Sequence, residues 1–201
     1  MDPGNAGCLI YSRDTFNSNS CSPFNCTLIF MTNTLMPNTI DHLVGLTPGL
    51  STYDVRHQRD KVVAATQKSE EGLFDPNLPG LTVNERLLVA LLACVLTPSA
   101  VCAADYRRRL EEGGADASLV EHVSNAALSK IDNVRLQAIL KFTHTLITDP
   151  VKADQAALQS LPKAGLSTPE VVTLAQLIAF VSYQVRVVAG LTAMKQLEQQ
   201  A

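Results

Sequence analysis

An unbroken run of apolar residues, Leu87 to Leu96, constrains the fold of this chain more than any other feature. A helix that is hydrophobic all round has no face to offer to water, so other elements must cover it on every side. The run is too short to span a bilayer core, which takes about 20 residues. Thr82-Val83-Asn84-Glu85 opens it as a capping box: the Thr hydroxyl takes a free backbone N–H and the Glu carboxylate reaches back. The reading is a central, fully buried helix. A second apolar stretch, Val171 to Gly190, follows a similar start at Ser167-Thr168-Pro169-Glu170. Its length would cross a membrane, but Gln176, Gln184 and Arg186 interrupt it, so it too is read as a buried helix. Arg186 then needs a carboxylate or a carbonyl as partner.

The rest of the chain supplies helices to cover these two. A first helix is expected within Thr52 to Gly72, followed by a joint at Pro76, Pro79 and Gly80. Thr97-Pro98 ends the central helix, with Pro98 expected in the first turn of the next one, which should stop at Gly113-Gly114. Asp116 can cap a helix through about Leu128. Leu136, Ile139, Leu140, Thr143 and Ile147 recur at helical spacing up to Asp149-Pro150, and a short helix should cover Asp154 to Leu161. No segment alternates with period two. Aromatic residues make only 5% of the chain, whereas 46% is hydrophobic. The expected fold is all-α, with about six to eight helices and no sheet. Leu81-Thr82-x-x-Glu85 recurs 85 residues later as Leu166-Ser167-x-x-Glu170, an internal helical repeat that suggests two buried helices about a pseudo-twofold.

Residues 1–30 differ: they are rich in Ser, Thr and Asn, hold Cys8, Cys21 and Cys26, and carry no helical or strand period. They are expected to be a disordered extension or a mis-called start preceding Met31, the alternative being a short ordered arm; residues 31–201 form a single domain. No secretory signal is read, so the expected setting is cytoplasmic. A net charge of −3 argues against a nucleic-acid partner. Arg107-Arg108-Arg109 is followed by Glu111 and Glu112 and reads as a solvated helix face, with Asp105 pairing with Arg109. His42, His57, His122 and His144 stand apart from one another, so no metal site is expected. No phosphate loop or Gly-x-Ser-x-Gly elbow occurs, and no cofactor is expected.

Leu81 to Gly114 resembles the core motif of the alkylhydroperoxidase D-like, or carboxymuconolactone decarboxylase, family. That motif has a capped Leu-Ser/Thr-x-x-Glu-Arg-Glu helix, then Cys-x-x-Cys-x-x-x-His opening the next helix, then a Leu and a Gly. Arg135 to Leu191, with Asp149-Pro150, Leu161, Ala164-Gly165-Leu166-Ser167, Phe180 and Arg186, is similar to the C-terminal half of the peroxidase-related branch. The resemblance covers roughly residues 40–195. It implies an alkylhydroperoxidase D-like helical domain in a homo-oligomer, commonly trimeric or hexameric, with the pocket near a subunit interface. The first motif cysteine falls on Ser99, the second on Cys102, the histidine on Tyr106 and the first glutamate on Glu85; the second glutamate falls on Leu87. In active members the second cysteine attacks peroxide, the first resolves it as a disulfide, and histidine and glutamate move the proton.

The resemblance therefore implies a peroxidase-related (peroxiredoxin-type) oxidoreductase acting on a small molecule, hydroperoxide being the candidate. The candidate site residues are Cys102, Tyr106, Ser99 and Glu85. A thiol near a helix N-terminus is activated, although a helix starting at Pro98 would put Cys102 about a turn inside it. Cys94 lies eight residues earlier, about 12 Å away on a continuous helix, whereas a disulfide tolerates at most about 7 Å between Cα atoms. Unless the Pro98 break folds them together, regeneration falls to an external thiol. The alternatives are a decarboxylase-like small-molecule enzyme without thiol chemistry, a non-catalytic oligomeric binding protein, and Cys102 as a small buried apolar residue.

Overall fold

The computed structural model describes residues 38–200, so the expectations for residues 1–30 and for Met31 lie outside the described residues. The described chain is all-α. Its helices are α1 (Thr39–Val44), α2 (Ser51–His57), α3 (Asp60–Leu73), α4 (Val83–Leu96), α5 (Ala100–Glu112), α6 (Ala117–Ser124), α7 (Val134–Thr148), α8 (Gln155–Lys163) and α9 (Thr168–Gln200). Two 3₁₀ turns, Leu128–Lys130 and Pro150–Lys152, flank α7. The apolar run is the centre of the molecule, as its all-round hydrophobicity requires. Leu87 through Cys94 are each at most 3% exposed, and α5, α6, α7 and α9 pack around them. The capping box that opens α4 forms in both directions: Glu85 N–H donates to Thr82 Oγ1 at 3.1 Å, and Thr82 N–H donates to Glu85 Oε2 at 2.8 Å.

The repeat has a physical counterpart at these helix starts. In α9, Ser167 donates both its N–H and its hydroxyl to Glu170 Oε2, so only half of the reciprocal box is made there. Arg135 joins the two starts: Nε donates to Glu85 at 3.0 Å, Nη2 to Glu170 at 2.5 Å and Nη1 to the Gly165 carbonyl at 3.1 Å. The repeat extends one residue upstream, since Gly80 and Gly165 both take positive φ, 95° and 89°. At Gly80 a side chain would also meet Glu170 Cγ at 2.6 Å.

Several expectations change. The helix expected within Thr52 to Gly72 is two helices, α2 and α3, broken at Arg59 (φ −118°, ψ 53°). The end of α2 is pulled aside because Arg56 and His57 both bind the buried Asp41 of α1, at 2.7 and 2.9 Å. The helix after Asp116 stops at Ser124, and Leu128 belongs to the following 3₁₀ turn; Ala126 reverses the chain at φ 51°. Residues 171–190 are not wholly buried. α1 to α4 cover one side of α9, leaving Val172, Ala175, Ala179, Tyr183 and Arg186 exposed. Arg186 does find a carbonyl, that of Ser182 one turn earlier. By length and composition α9 could cross a membrane, yet 44% of its apolar window is buried inside the helical packing. Its tail serves the N-terminal helices. Lys195 donates to the Val44 and Gly45 carbonyls ending α1, and Glu198 accepts from the Ser51 and Thr52 N–H groups opening α2.

Candidate functional site

The chain turns sharply between α4 and α5. Thr97, Pro98 and Ser99 lie outside both helices, so Pro98 is in the turn rather than in the first helical turn. The Ser99 N–H donates to the Cys94 carbonyl at 3.2 Å, which folds the start of α5 back over the last turn of α4. Two consequences follow for Cys102. It becomes the third residue of α5, inside the first turn, where backbone N–H groups are unsatisfied and the helix dipole favours negative charge. It also comes within hydrogen-bonding reach of Cys94, which a continuous helix would have held far away.

Both cysteines are reduced and fully buried. The Cys94 thiol donates to the Cys102 sulfur, and the Ser99 hydroxyl, which makes no cap bond to the helix, donates to it as well. These donors lower Cys102 from an ordinary 9.0 to about 7, against burial and against the negative charges of Asp105 and Glu70. Cys94 moves the opposite way, held as a thiol by its own donated hydrogen bond and by burial. The pair therefore divides into one sulfur suited to carry charge and one suited to carry the proton.

One turn further along the same face is Tyr106, 1% exposed. Its hydroxyl donates to Gln184 Oε1 at 2.6 Å, and Gln184 Nε2 donates to Glu70 Oε2 at 3.3 Å. Burial, the neighbouring Glu70 and the two thiols push Tyr106 well above its ordinary range, so it is a donor and not a base. Glu70 is buried in α3, and desolvation raises its pKa although Arg109 works to lower it. Arg109 Nη1 donates to Glu70 Oε1 at 3.2 Å, and its guanidinium lies 4.4 Å from the Phe74 ring centroid and 5.4 Å from that of Tyr106. The expected Asp105–Arg109 pair is thus displaced. Asp105 binds Arg108 at 2.5 Å and stands 3.9 Å from Arg109, whose fork is taken by Glu70 and the aromatic rings. Glu70, Phe74, Asp105 and Arg109 also line an open cleft of about 800 Å³.

Of the candidates, Cys102, Ser99 and Tyr106 gather here. Glu85 does not: it sits near the opposite end of α4, about 13 Å along the axis from Cys94, occupied by Thr82 and Arg135. Three further residues belong to the site. Cys94 was visible only as a thiol at the wrong spacing, and Glu70 and Gln184 lie on helices whose approach no local pattern reports. The chain matches no protein-family model and no curated protein sequence.

Proposed function

We propose that this protein is a thiol-dependent, hydroperoxide-reducing oxidoreductase on an alkylhydroperoxidase D-like helical domain, with Cys102 as the attacking sulfur. The observation that carries this reading is the environment of Cys102: two hydrogen-bond donors on its sulfur, in the first turn of α5, holding it at about 7. At neutral pH a substantial fraction is thiolate, the nucleophilic form. That thiolate attacks one oxygen of the hydroperoxide; the O–O bond breaks, sulfur loses two electrons to become sulfenic acid, and the other oxygen leaves as an alcohol. The leaving oxygen needs a proton. Glu70, held toward its neutral carboxyl form by burial and lining both the cleft and the thiol environment, is placed to give it. In the resembled family a glutamate and a histidine serve that purpose; here Leu87 and Tyr106 occupy those motif positions, and Glu70 comes from a different helix.

The test is hydroperoxide consumption by the reduced protein with mass mapping of Cys102. Wild type should consume peroxide stoichiometrically and gain an oxidised sulfur at Cys102, and Cys102→Ser should lose consumption by at least about a hundredfold. Peroxide left intact by the wild type would end this reading. Complete burial of Cys102 favours a second one, a small-molecule enzyme using the cleft without thiol chemistry; activity surviving in Cys102→Ser would select it. The homo-oligomer implied by the resemblance has apolar surface to use on α9, where Val172, Tyr183, Met194 and Leu197 are exposed.

A further inference from the structure

Ser99 stands where the resembled motif carries its first cysteine, and a hydroxyl cannot close a disulfide. The turn at 97–99 brings up a substitute from the preceding helix. Cys94 and Cys102 are the free thiols of the described residues, they meet through a direct S–H···S hydrogen bond, and the helices that carry them are the most extensively packed pair in the fold. We infer that Cys94 is the resolving thiol of Cys102, and that the two form a reversible disulfide across the break between α4 and α5. The inference rests on the proposed attack of Cys102 on hydroperoxide.

The chemistry closes without a further oxidant. After that attack Cys102 carries a hydroxyl on sulfur. The Cys94 sulfur attacks the Cys102 sulfur; the S–S bond forms, the S–O bond breaks, and hydroxide leaves with the Cys94 proton as water. The hydrogen bond already points that proton at the atom bearing the leaving group. An external thiol reductant then restores both thiols by exchange, supplying two electrons and two protons. Hydrogen-bonded sulfurs need only a short approach to reach the bonded distance of about 2.05 Å, which adjustment of the three-residue turn can supply. Cys94 is unsuited to the first attack because it is the proton donor of the pair, so the two roles are not interchangeable.

Trypsin cuts after Arg86 and Arg107, so both cysteines fall on one peptide, residues 87–107. The full chain is reduced, freed of reductant, treated with one equivalent of tert-butyl hydroperoxide, blocked with an alkylating reagent and digested, with and without dimedone to trap sulfenic acid. Wild-type peptide 87–107 should lose two hydrogens, refuse alkylation at both cysteines, and recover with dithiothreitol. Cys94→Ser, and Cys94→Ala should the serine disturb the core, should instead trap dimedone at Cys102 at least about tenfold more than wild type, with peroxide still consumed. Wild type that labels with dimedone as strongly as the variants and keeps both hydrogens overturns the assignment of Cys94 while leaving the attack by Cys102 intact. Unconsumed peroxide with Cys102 unoxidised in every protein overturns both.

Discussion

The Cys102 sulfur is surrounded by protein donors in place of water. Two neutral groups, the Cys94 thiol and the Ser99 hydroxyl, stabilise its charge, while two acidic residues oppose it. This balance gives Glu70 two effects of opposite sign. When ionised, it raises the Cys102 pKa by repulsion; when neutral, it is the proposed proton donor. Glu70→Gln removes both. The midpoint of Cys102 alkylation against pH should therefore fall below that of wild type, because thiolate forms more readily once the negative charge is gone. The rate of hydroperoxide reduction at neutral pH should drop by about a hundredfold, in keeping with loss of a general acid. A parallel rise in both quantities would remove Glu70 from the proposed mechanism. Ser99, Cys102 and Tyr106 were legible in the sequence because they share one helix start and its spacing. Cys94 was misjudged by a distance argument that holds for a straight helix, and Glu70 and Gln184 carry no local signal, being 32 and 82 residues from Cys102.

At the scale of elements, the central helix depends on one charged residue at its start. Arg86 is fully buried among apolar neighbours, with Nη1 donating to the Leu73 carbonyl at 2.7 Å, Nη2 to that of Asp75 at 3.0 Å and Nε to that of Thr82 at 3.3 Å. It pins the segment between α3 and α4, and with it the end of the helix that carries Glu70. Arg86→Met fills similar volume but leaves three buried carbonyls short of a donor, which should cost about 3 kcal/mol, read as a lower urea midpoint. Helix starts were the most legible elements because Asp116, Thr82, Asn133 and Asp154 accept backbone N–H groups as their side-chain chemistry demands. The break at Arg59 was not legible. No Gly or Pro marks it; α2 ends where Arg56 and His57 are drawn to a carboxylate on a third helix.

For the whole molecule, the all-α class followed from one physical requirement, that an apolar helix be enclosed, and the structure meets it by surrounding α4. The same requirement overstated α9, which is apolar enough to be enclosed but is covered on one side only. The repeated capped starts were legible as a pattern, yet nothing in the pattern identified Arg135 as the residue between them. That shared cation makes the openings of α4 and α9 a single thermodynamic unit. Fraying of either start strips Arg135 of one carboxylate and loosens its hold on the other, so the two should exchange amide hydrogens cooperatively. In Arg135→Met, protection should fall together at the first turns of α4 and α9, by about three- to tenfold, while the amides of α6 keep theirs. Two segments 85 residues apart in the chain would then open as one.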